Sequence, residues 1–380
     1  MTQLPIYTEE HELFRRTIRD FVAAEITPHV NGWDEAEEFP RELYQKVGEL
    51  GLFGVGFEEQ YGGLGAHDAL LLCIISEEFA RCGAGGVAAS LFTNYIAAPP
   101  IQLGGSEKAK AEILPGMISG DLICALGITE PGGGSDVARL TTTATRDGDH
   151  YIVNGQKTYI TSGMRADYIT TAVRTGGPGA AGVSLLVIPT ITPGFSATPL
   201  AKMGWWCSDT AILYFDDCRV PADYLLGVEN AGFRLVMENF NFERLQMISG
   251  CVGASRICFE EALNWARERQ TFGQRLADHQ VIRHKLVEMD RQINGTRAWM
   301  EQLAWRIQQG DKPVAELSEC KVQATLTMEF CAREAAQILG GASYIRGNPV
   351  ERIYREVRVN AIGGGSEEIM RDLAARQLGI

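Results

Sequence analysis

The alternation of apolar and polar positions divides the chain into three zones. In residues 8–118, apolar positions such as Phe14 and Ile18 recur at the spacing of a helix. Residues 120–225 are instead dense in Thr, Val, Tyr and Ile, in short runs separated by turn dipeptides. Residues 230–378 return to long amphipathic stretches with few helix breakers. The chain is therefore predicted to be helical, then β, then helical.

The middle zone contains four strand candidates, each a short run rich in β-branched or aromatic residues: residues 150–153, 168–173, 183–188 and 211–215. The first candidate lies between Asp147-Gly148 and Asn154-Gly155, two dipeptides that favour tight hairpin turns. The middle zone is therefore predicted to form an antiparallel β domain.

The C-terminal zone carries the longest helical periodicity, in residues 254–269 and 279–309, which predicts a four-helix bundle. The fold class is thus α+β and multidomain. We predict an N-terminal helical domain at residues 1–120, a β domain at 121–228 and the helical bundle at 229–380. A groove between such domains is the usual place for a large ligand.

Composition excludes several classes of protein. The 380 residues are 45% apolar and 22% charged, and the net charge of −13 comes without any block of positive charge. Because nucleic-acid-binding proteins usually carry such a block, no nucleic-acid partner is expected. No apolar run reaches the ~18 residues that a membrane span needs. The nine cysteines include no CxxC pair, so neither a metal site nor a disulfide framework is expected.

The first candidate for chemistry is the glycine-rich segment at residues 129–136, with the sequence TEPGGGSD. Three consecutive glycines allow the backbone to approach a ligand closely and present free N–H groups. The spacing is not that of a dinucleotide fingerprint, and no βαβ unit follows. A surface loop without a ligand explains the segment equally well.

The second candidate is the pair Tyr159 and Thr161, two residues apart in a predicted strand. Alternate residues of a strand share a face, so the ring and the hydroxyl would lie side by side. A flavin needs a flat apolar wall and a few hydrogen-bond donors, and this pair offers one of each. An ordinary strand with partners across the sheet remains the alternative.

Three more segments combine glycine with polar or charged residues: 267–273 (RERQTFG), 337–341 (QILGG) and 362–371 (IGGGSEEIMR). The arginines of the first are suited to grip a pyrophosphate, because a guanidinium binds phosphate oxygens in pairs. They are equally suited to the C-terminus of a helix that ends at a glycine. The other two segments permit a close approach to a ligand or simply connect helices.

Glu243 lies in a mostly apolar helical stretch, residues 233–248, with Arg244 and Leu245 following it. A carboxyl group screened from water has a raised pKa, which brings it towards the range useful for a general base. A surface pair or a structural salt bridge between Glu243 and Arg244 is the alternative interpretation.

Taken in order and with their spacing, these segments resemble the acyl-CoA dehydrogenase family over nearly the whole chain. The resemblance implies three domains: an N-terminal helical domain, a β domain and a C-terminal four-helix bundle. It also implies a homotetramer with FAD bound partly across a subunit interface. The implied reaction is flavin-dependent α,β-desaturation of an acyl-CoA thioester, with electron-transfer flavoprotein as the electron acceptor.

The resemblance also implies which residues contact FAD. Thr129 matches the residue at the flavin pyrimidine edge, Tyr159 an aromatic beside the isoalloxazine, and Thr161 the hydroxyl at flavin N5. The remaining positions match contacts to phosphate, adenosine or other parts of FAD: Ser135, Arg269, Thr271, Phe272, Gln337, Gly341 and Ser366. Ser135 also matches a CoA contact. Glu368 departs from the Gln of many members, and its charge would repel phosphate.

For catalysis, the resemblance implies Glu243 as the base. Many members carry a Glu at the position of Gly364, which has no side chain here, whereas long-chain and isovaleryl-type members place the base in a Glu-Arg-Leu context on a bundle helix. Glu243 would take the C2 proton, and C3 hydride would go to flavin N5. The backbone N–H of Gly364 and an FAD ribityl hydroxyl would stabilise the enolate. Arg244 matches a residue that contacts CoA or supports the base.

Gly363 and Gly364 remove two side chains beside the expected acyl pocket, which predicts a branched or medium-to-long acyl chain. Three alternatives remain from the sequence: an enoyl-CoA reductase, an acyl-CoA oxidase or flavin monooxygenase relative, and a non-catalytic scaffold that kept the fold. The first residues show no signal or presequence pattern, which predicts a bacterial cytoplasmic location or, second, the mitochondrial matrix.

Overall fold

The structure is a computed structural model that describes residues 6–65 and 68–380. Residues 1–5, on which the location prediction rests, lie outside the described part. Within the described ranges, no helix combines the length and the apolar character needed to cross a bilayer.

Among residues 6–65 and 68–119, eight α-helices form the N-terminal part. They are α1 (Glu9–Phe21), α2 (Val30–Ala36), α3 (Glu42–Glu49), α4 (Ala69–Ala80), α5 (Gly85–Leu91), α6 (Asn94–Ala97), α7 (Pro99–Gly104) and α8 (Glu107–Ser119). Local sequence sets several of their ends. The hydroxyl of Thr8 accepts from the backbone N–H of His11 and caps α1, and Ser106 caps α8 in the same way. Gly120, at φ 83°, ends α8 in the left-handed conformation that glycine adopts without strain.

An eight-stranded sheet follows. Its strands are β1 (Cys124–Gly127), β2 (Thr143–Asp147), β3 (His150–Thr161), β4 (Tyr168–Arg174), β5 (Val183–Pro189), β6 (Phe195–Pro199), β7 (Thr210–Pro221) and β8 (Leu225–Leu226). The order is β6-β7-β3-β2-β4-β5-β8, with β1 beside β4. The four predicted strand segments lie within β3, β4, β5 and β7. All pairings are antiparallel except those of β4 with β1 and β2.

Strand β3 contains a bulge in the segment that was predicted to be a regular strand. Lys157 pairs with Leu213 and Ile160 with Ala211, so β3 has one residue more than its partner. Within the bulge, Tyr159 adopts φ 60°, a conformation that is unusual for an aromatic residue. The bulge therefore redirects the side chain of Tyr159 rather than merely interrupting the ladder.

The C-terminal part is helical, with a small hairpin. Its elements are α9 (Gly232–Glu268), β9 (Gln270–Thr271), β10 (Gln274–Arg275), α10 (Gln280–Gln308), α11 (Val314–Leu339), α12 (Pro349–Ile362) and α13 (Glu367–Leu378). The two stretches predicted separately at residues 233–248 and 254–269 belong to one helix, α9. Gly253 in its middle lets α4 pack closely, since a Cβ there would lie 2.6 Å from the carbonyl oxygen of Glu77.

The start of α9 lies where the other parts of the chain meet. Gly232 packs against the backbone of Ser184 in β5, where an added Cβ would come within 2.6 Å. One turn before Glu243, the Asn239 amide donates to the carbonyl of Ile96 in α6 at 2.6 Å. The first turns of α9 are therefore packed on both the sheet and the N-terminal helices, which holds Glu243 at that junction.

Candidate active site

Glu243 lies on α9 and is partly exposed, while Arg244 and Leu245 after it are buried. Burial raises the pKa of Glu243 to about 7, although the charges of Arg244 and Lys321 act in the opposite direction. Among the described residues, none forms a hydrogen bond or a salt bridge with the Glu243 carboxylate. The group is thus recessed enough to lose most of its water but still open on one side, as a base that must meet a substrate requires.

The glycine turn between α12 and α13 faces this carboxylate. Gly364 and Gly365 adopt φ 63° and 106°, which explains why glycine suits both positions. A Cβ placed on Gly364 would lie 3.7 Å from Oε1 of Glu243. A side chain at position 364 would therefore contact the Glu243 carboxylate. The two positions border the same space.

Two cations hold this turn by successive carbonyl groups. The Nε of Arg244 donates to the carbonyl of Gly364 at 3.3 Å, and the Nζ of Lys321 donates to that of Gly365 at 2.7 Å. No acceptor for the N–H of Gly364 is found within residues 6–65 and 68–380. The turn is thus fixed through its carbonyl oxygens and leaves that N–H available for a ligand.

Glu243 and the glycine turn form one wall of the site, and the β domain supplies a second wall around Glu130. Its carboxylate accepts from the N–H of Thr141 at 2.6 Å, the N–H of Thr142 at 2.8 Å and the buried ammonium of Lys157 at 2.8 Å. Burial alone would raise the pKa of Glu130, but Lys157 and these donors outweigh it and lower the pKa to about 2. Glu130 is therefore an ionised anchor for the segment 129–136.

Thr129, Tyr159 and Thr161 lie close together along this wall. The N–H of Thr158, directly before Tyr159 in β3, donates to the carbonyl of Thr129 at 2.9 Å. Thr129 and Thr161 are partly exposed, and Tyr159 is 71% exposed because the bulge turns it outward. Ser135 is exposed on the glycine-rich loop. The structure thus brings together the ring and hydroxyls that the sequence assigned to the flavin.

The other residues assigned to FAD lie at the opposite end of α9. Arg269 is 26 residues beyond Glu243, which corresponds to roughly 39 Å along a helix. Phe272 follows in the β9–β10 hairpin at φ 51° and is 99% exposed. Gln337 and Gly341, at the end of α11, are also exposed. Within one chain, these residues do not reach the space in front of Glu243.

Ser366 and Glu368 belong to the first turn of α13. The Ser366 hydroxyl accepts from the N–H of Ile369 at 3.4 Å and caps the helix, while Glu368 is exposed. Ser366 therefore has a structural role, and its contact with FAD stays a prediction. A carboxylate at Glu368 also suits the helix N-terminus, where negative charge is favourable, which accounts for its presence without any contact to FAD.

The residues of the two walls fit a flavin. A large aromatic ligand needs exposed rings and hydroxyl groups on a rigid support, and Tyr159, Thr129 and Thr161 provide them. Phosphate groups need close backbone approach, and an added Cβ on Gly132 or Gly133 would meet no atom within 4 Å. A fully exposed Phe272 in a strained conformation is typical of a residue that is covered by a ligand or a partner.

The sequence did not identify four residues that shape the site: Glu130, Lys157, Met247 and Lys321. It also predicted open space beside Gly364; a Cβ there would lie 2.6 Å from Sδ of Met247, so the flexible end of the Met247 side chain bounds this space. Met247 follows Glu243 by one helical turn and fills part of that space. Lys321 lies between two apolar residues, Cys320 and Val322, but nothing in the sequence indicated the partners of either lysine.

Three family models cover nearly the whole chain. They describe the N-terminal domain of acyl-CoA dehydrogenases at residues 8–121, the middle domain at 125–218 and the C-terminal domain at 230–379. The mitochondrial long-chain specific acyl-CoA dehydrogenase of Sus scrofa is 36% identical, over 98% of this chain and 87% of that protein.

Solved structures give the same result. A probable acyl CoA dehydrogenase from Mycobacterium abscessus is 45% identical, with a TM-score of 0.95 over 98% of this chain and 99% of that one. A glutaryl-CoA dehydrogenase from Mycobacterium smegmatis, solved in complex with FADH2, is 27% identical, with a TM-score of 0.91 over 98% and 95% of the two chains. The predicted fold, three domains with the β domain in the middle, is confirmed.

Proposed function

The chain belongs to the acyl-CoA dehydrogenase family, and from that premise we propose that it desaturates an acyl-CoA thioester between C2 and C3, with Glu243 as the base. The observation that carries the proposal is the 3.7 Å between Oε1 of Glu243 and the Cβ position of Gly364. An acidic group is thereby retained in front of the glycine turn, although position 364 itself has no side chain.

Glu243 removes the proton at C2. A base works best when its pKa is near the working pH, and burial raises the pKa of Glu243 to about 7. Since no described residue hydrogen-bonds to the carboxylate, both oxygens remain available to accept the proton. The neighbouring charges of Arg244 and Lys321 prevent the pKa from rising further, which keeps a large fraction ionised at neutral pH.

Removal of the C2 proton places negative charge on the thioester oxygen, and this charge must be stabilised. We assign that task to the N–H of Gly364. It has no acceptor among the described residues, and the turn that presents it is fixed by Arg244 and Lys321. A donor that is already oriented does not have to reorganise during the reaction, which lowers the barrier.

Thr129, Tyr159 and Thr161 hold the flavin ring, and the glycines of segment 129–136 with Ser135 approach the phosphates or the CoA moiety. Bound FAD would supply the acceptor for the hydride that leaves C3. The chain's own part is to keep this wall rigid, which Glu130 and Lys157 do from beneath. The base and the flavin wall then enclose the substrate from two sides.

A second copy of the chain completes the cofactor site in this proposal. Arg269 lies roughly 39 Å from Glu243 along α9, and we assign it to the FAD of a neighbouring copy. The other residues assigned to that FAD are Thr271, Phe272, Gln337 and Gly341. The full exposure of Phe272 supports this arrangement. We propose a homotetramer, as the family resemblance implies, with electron-transfer flavoprotein as the electron acceptor.

We propose a branched or medium-to-long acyl chain as substrate. Gly363 and Gly364 lack side chains, and the space beside them is bounded by Met247. A methionine side chain has several rotatable bonds and adapts to ligands of different shape. Such a boundary is more tolerant of a bulky chain than a branched or aromatic side chain would be.

The test is an anaerobic titration of the purified protein with straight and branched acyl-CoAs, short to long. We expect one class to bleach the flavin band near ~450 nm, because hydride transfer removes the oxidised chromophore. Glu243→Gln should bind FAD and acyl-CoA without bleaching. Glu356→Gln is the matched control, since burial also raises the pKa of Glu356, to about 8, but it accepts from the N–H groups of Gly85 and Trp205 and should bleach normally.

Each alternative has its own outcome in this titration. Reoxidation of the bleached protein by air, with rapid oxygen uptake, would indicate an oxidase. Return of the ~450 nm band when an enoyl-CoA is added to protein that an external reductant has bleached, with no bleaching by any acyl-CoA, would indicate a reductase. A colourless protein that takes up no FAD would indicate the non-catalytic alternative and contradict the proposal.

A further inference from the structure

Lys321 is a buried cation that the proposed reaction does not use directly. Its side chain has no exposed surface, and it lies on α11 among the buried residues of the bundle. Within the described ranges, no carboxylate lies within 4 Å of its Nζ. An ammonium group buried without an ion pair is unfavourable, so its retention requires another explanation.

The contact that Lys321 does make is with the glycine turn. Its Nζ donates to the carbonyl of Gly365 at 2.7 Å, directly after the peptide that Arg244 holds. Gly364 and Gly365 both have positive φ, and glycines in such conformations have many alternatives available to them. A turn of this kind keeps one shape only when its surroundings restrain it.

Lys321 also acts on Glu243 through its charge. The groups that face it are Glu243, Arg244 and the Cys251 thiol from α9, and Glu367 from α13. Burial raises the pKa of the Cys251 thiol to about 12, so this group is neutral at physiological pH. Burial lowers the pKa of Lys321 to about 8, which leaves it positive over the range in which Glu243 ionises.

We propose that Lys321 is a positioning residue that holds the Gly363–Gly365 turn and stabilises the ionised form of Glu243. One side chain on α11 thus sets the orientation of the Gly364 N–H and the proton affinity of the base. This inference rests on the proposed role of Glu243, but its two physical effects can be measured without turnover.

The first measurement follows the ionisation of Glu243 through stability. The difference in unfolding free energy between the holoprotein and its Glu243→Gln variant changes with pH as Glu243 ionises. We expect the midpoint of this change to move up by about half a pH unit or more in the Lys321→Met background, because a nearby positive charge is lost. The acid limb of kcat should move in the same direction, and kcat should fall about tenfold as the turn loosens.

Two further variants separate charge from hydrogen bonding. Lys321→Gln keeps a donor without the charge, so the midpoint should move while amide hydrogen exchange in residues 363–366 stays closer to native than in Lys321→Met. Lys321→Arg keeps the charge and should leave the midpoint near its native value. Cys251→Ala is the matched control, because it removes a neutral neighbour of Lys321 and should change neither readout.

If Lys321→Met does not fold, the comparison of Lys321→Gln with Lys321→Arg decides the question. The proposal is wrong if the midpoint and the exchange rates are the same in the native protein and in every Lys321 variant that folds. A native protein that no acyl-CoA bleaches, but whose midpoint still moves, would overturn the proposed reaction and leave the link between Lys321 and Glu243 intact.

Discussion

Glu130 in the β domain and Glu243 in the helical bundle carry the same carboxyl group, but their surroundings move its pKa in opposite directions. Glu130 accepts hydrogen bonds from Thr141, Thr142 and Lys157, and its pKa is lowered to about 2. Glu243 has no hydrogen-bond partner among the residues described, and burial raises its pKa to about 7. Burial by itself raises the pKa of both carboxyl groups, so burial alone does not set the result.

The difference lies in what replaces the lost water. Donors directed at a carboxylate stabilise its ionised form, whereas burial without donors destabilises that form. Lys157 donates a hydrogen bond to Glu130. Lys321 instead donates its hydrogen bond to the carbonyl of Gly365 and acts on Glu243 only through its charge. The same pair of residue types thus builds a fixed support in one region and a titratable base in the other.

The largest effect should come from Glu243→Gln. We expect turnover with any acyl-CoA to fall by about 10²–10⁴-fold or more, because the proton acceptor is removed, while flavin content stays near the native value. Steady-state kinetics with a dye acceptor and flavin absorbance provide the measurement. Turnover at the native rate would show that another group takes the C2 proton.

Glu130→Gln should act on stability instead. It leaves the buried ammonium of Lys157 without a counter-charge, so we expect a loss of about 3–5 kcal/mol in urea unfolding, together with weaker FAD retention. Adding Lys157→Met removes the unpaired charge and should restore part of the stability. A Glu130→Gln variant as stable as the native protein would contradict the role of Glu130 as an ionised anchor.

The two carboxylates should also give opposite pH dependences of stability. The folded pKa of Glu130, about 2, lies below its ordinary value of 4.5, so its stabilisation is present above pH ~4.5 and is lost as the pH falls towards 2. The folded pKa of Glu243, about 7, lies above that value, so the protein loses stability relative to Glu243→Gln as the pH rises from ~4.5 to 7.

The loss of stability that the ionisation of Glu243 causes between pH ~4.5 and 7 is on the order of 2–3 kcal/mol, since one pKa unit corresponds to about 1.4 kcal/mol. Unfolding curves at several pH values for the native protein and both Gln variants provide the measurement. In parallel, kcat/KM should rise with pH through about 7 as Glu243 ionises. If the difference in unfolding free energy between the native protein and the Gln variant changed with pH in the same direction for Glu130 and Glu243, the contrast between the two regions would be wrong.

The smallest effects concern the glycines of the two walls. Gly364→Ala should cost about 1–2 kcal/mol for its left-handed backbone, and more because of Met247, as measured by urea unfolding. Adding Met247→Ala should relieve the crowding but not the backbone cost.

The Gly133→Ala substitution places its Cβ in open space, so it should change stability by less than about 0.5 kcal/mol while weakening FAD binding. Equal costs at both positions would argue against a restrained turn at Gly364.

Much of the fold followed from local patterns. The four strand candidates and the long C-terminal helices were predicted because alternation and helical periodicity reflect which side of an element is buried. The bulge at Tyr159 was not predicted, because its cause is a one-residue mismatch with β7, a strand some fifty residues later in the chain. The continuity of α9 was also missed, because a glycine such as Gly253 is usually a helix breaker. The close packing of α4 against Gly253, which explains the glycine, is visible only in the structure.

For the site, the glycine at position 364 and the Glu-Arg-Leu context of Glu243, together with the family resemblance, led to the prediction that Glu243 is the base. Their proximity was not contained in the sequence, since 121 residues separate them. The sequence also did not indicate that Met247 bounds the space beside Gly363 and Gly364.

By itself, then, the sequence determined the order of helical and β regions, the positions where only glycine fits, and the residue types available for chemistry. These depend on local geometry and on the periodicity of burial, both of which are written along the chain. The tertiary structure decided which carboxylate is satisfied and which is left reactive. That outcome depends on which donors from distant elements reach each carboxyl group, because a pKa is set by the three-dimensional surroundings of a group and not by its neighbours in sequence.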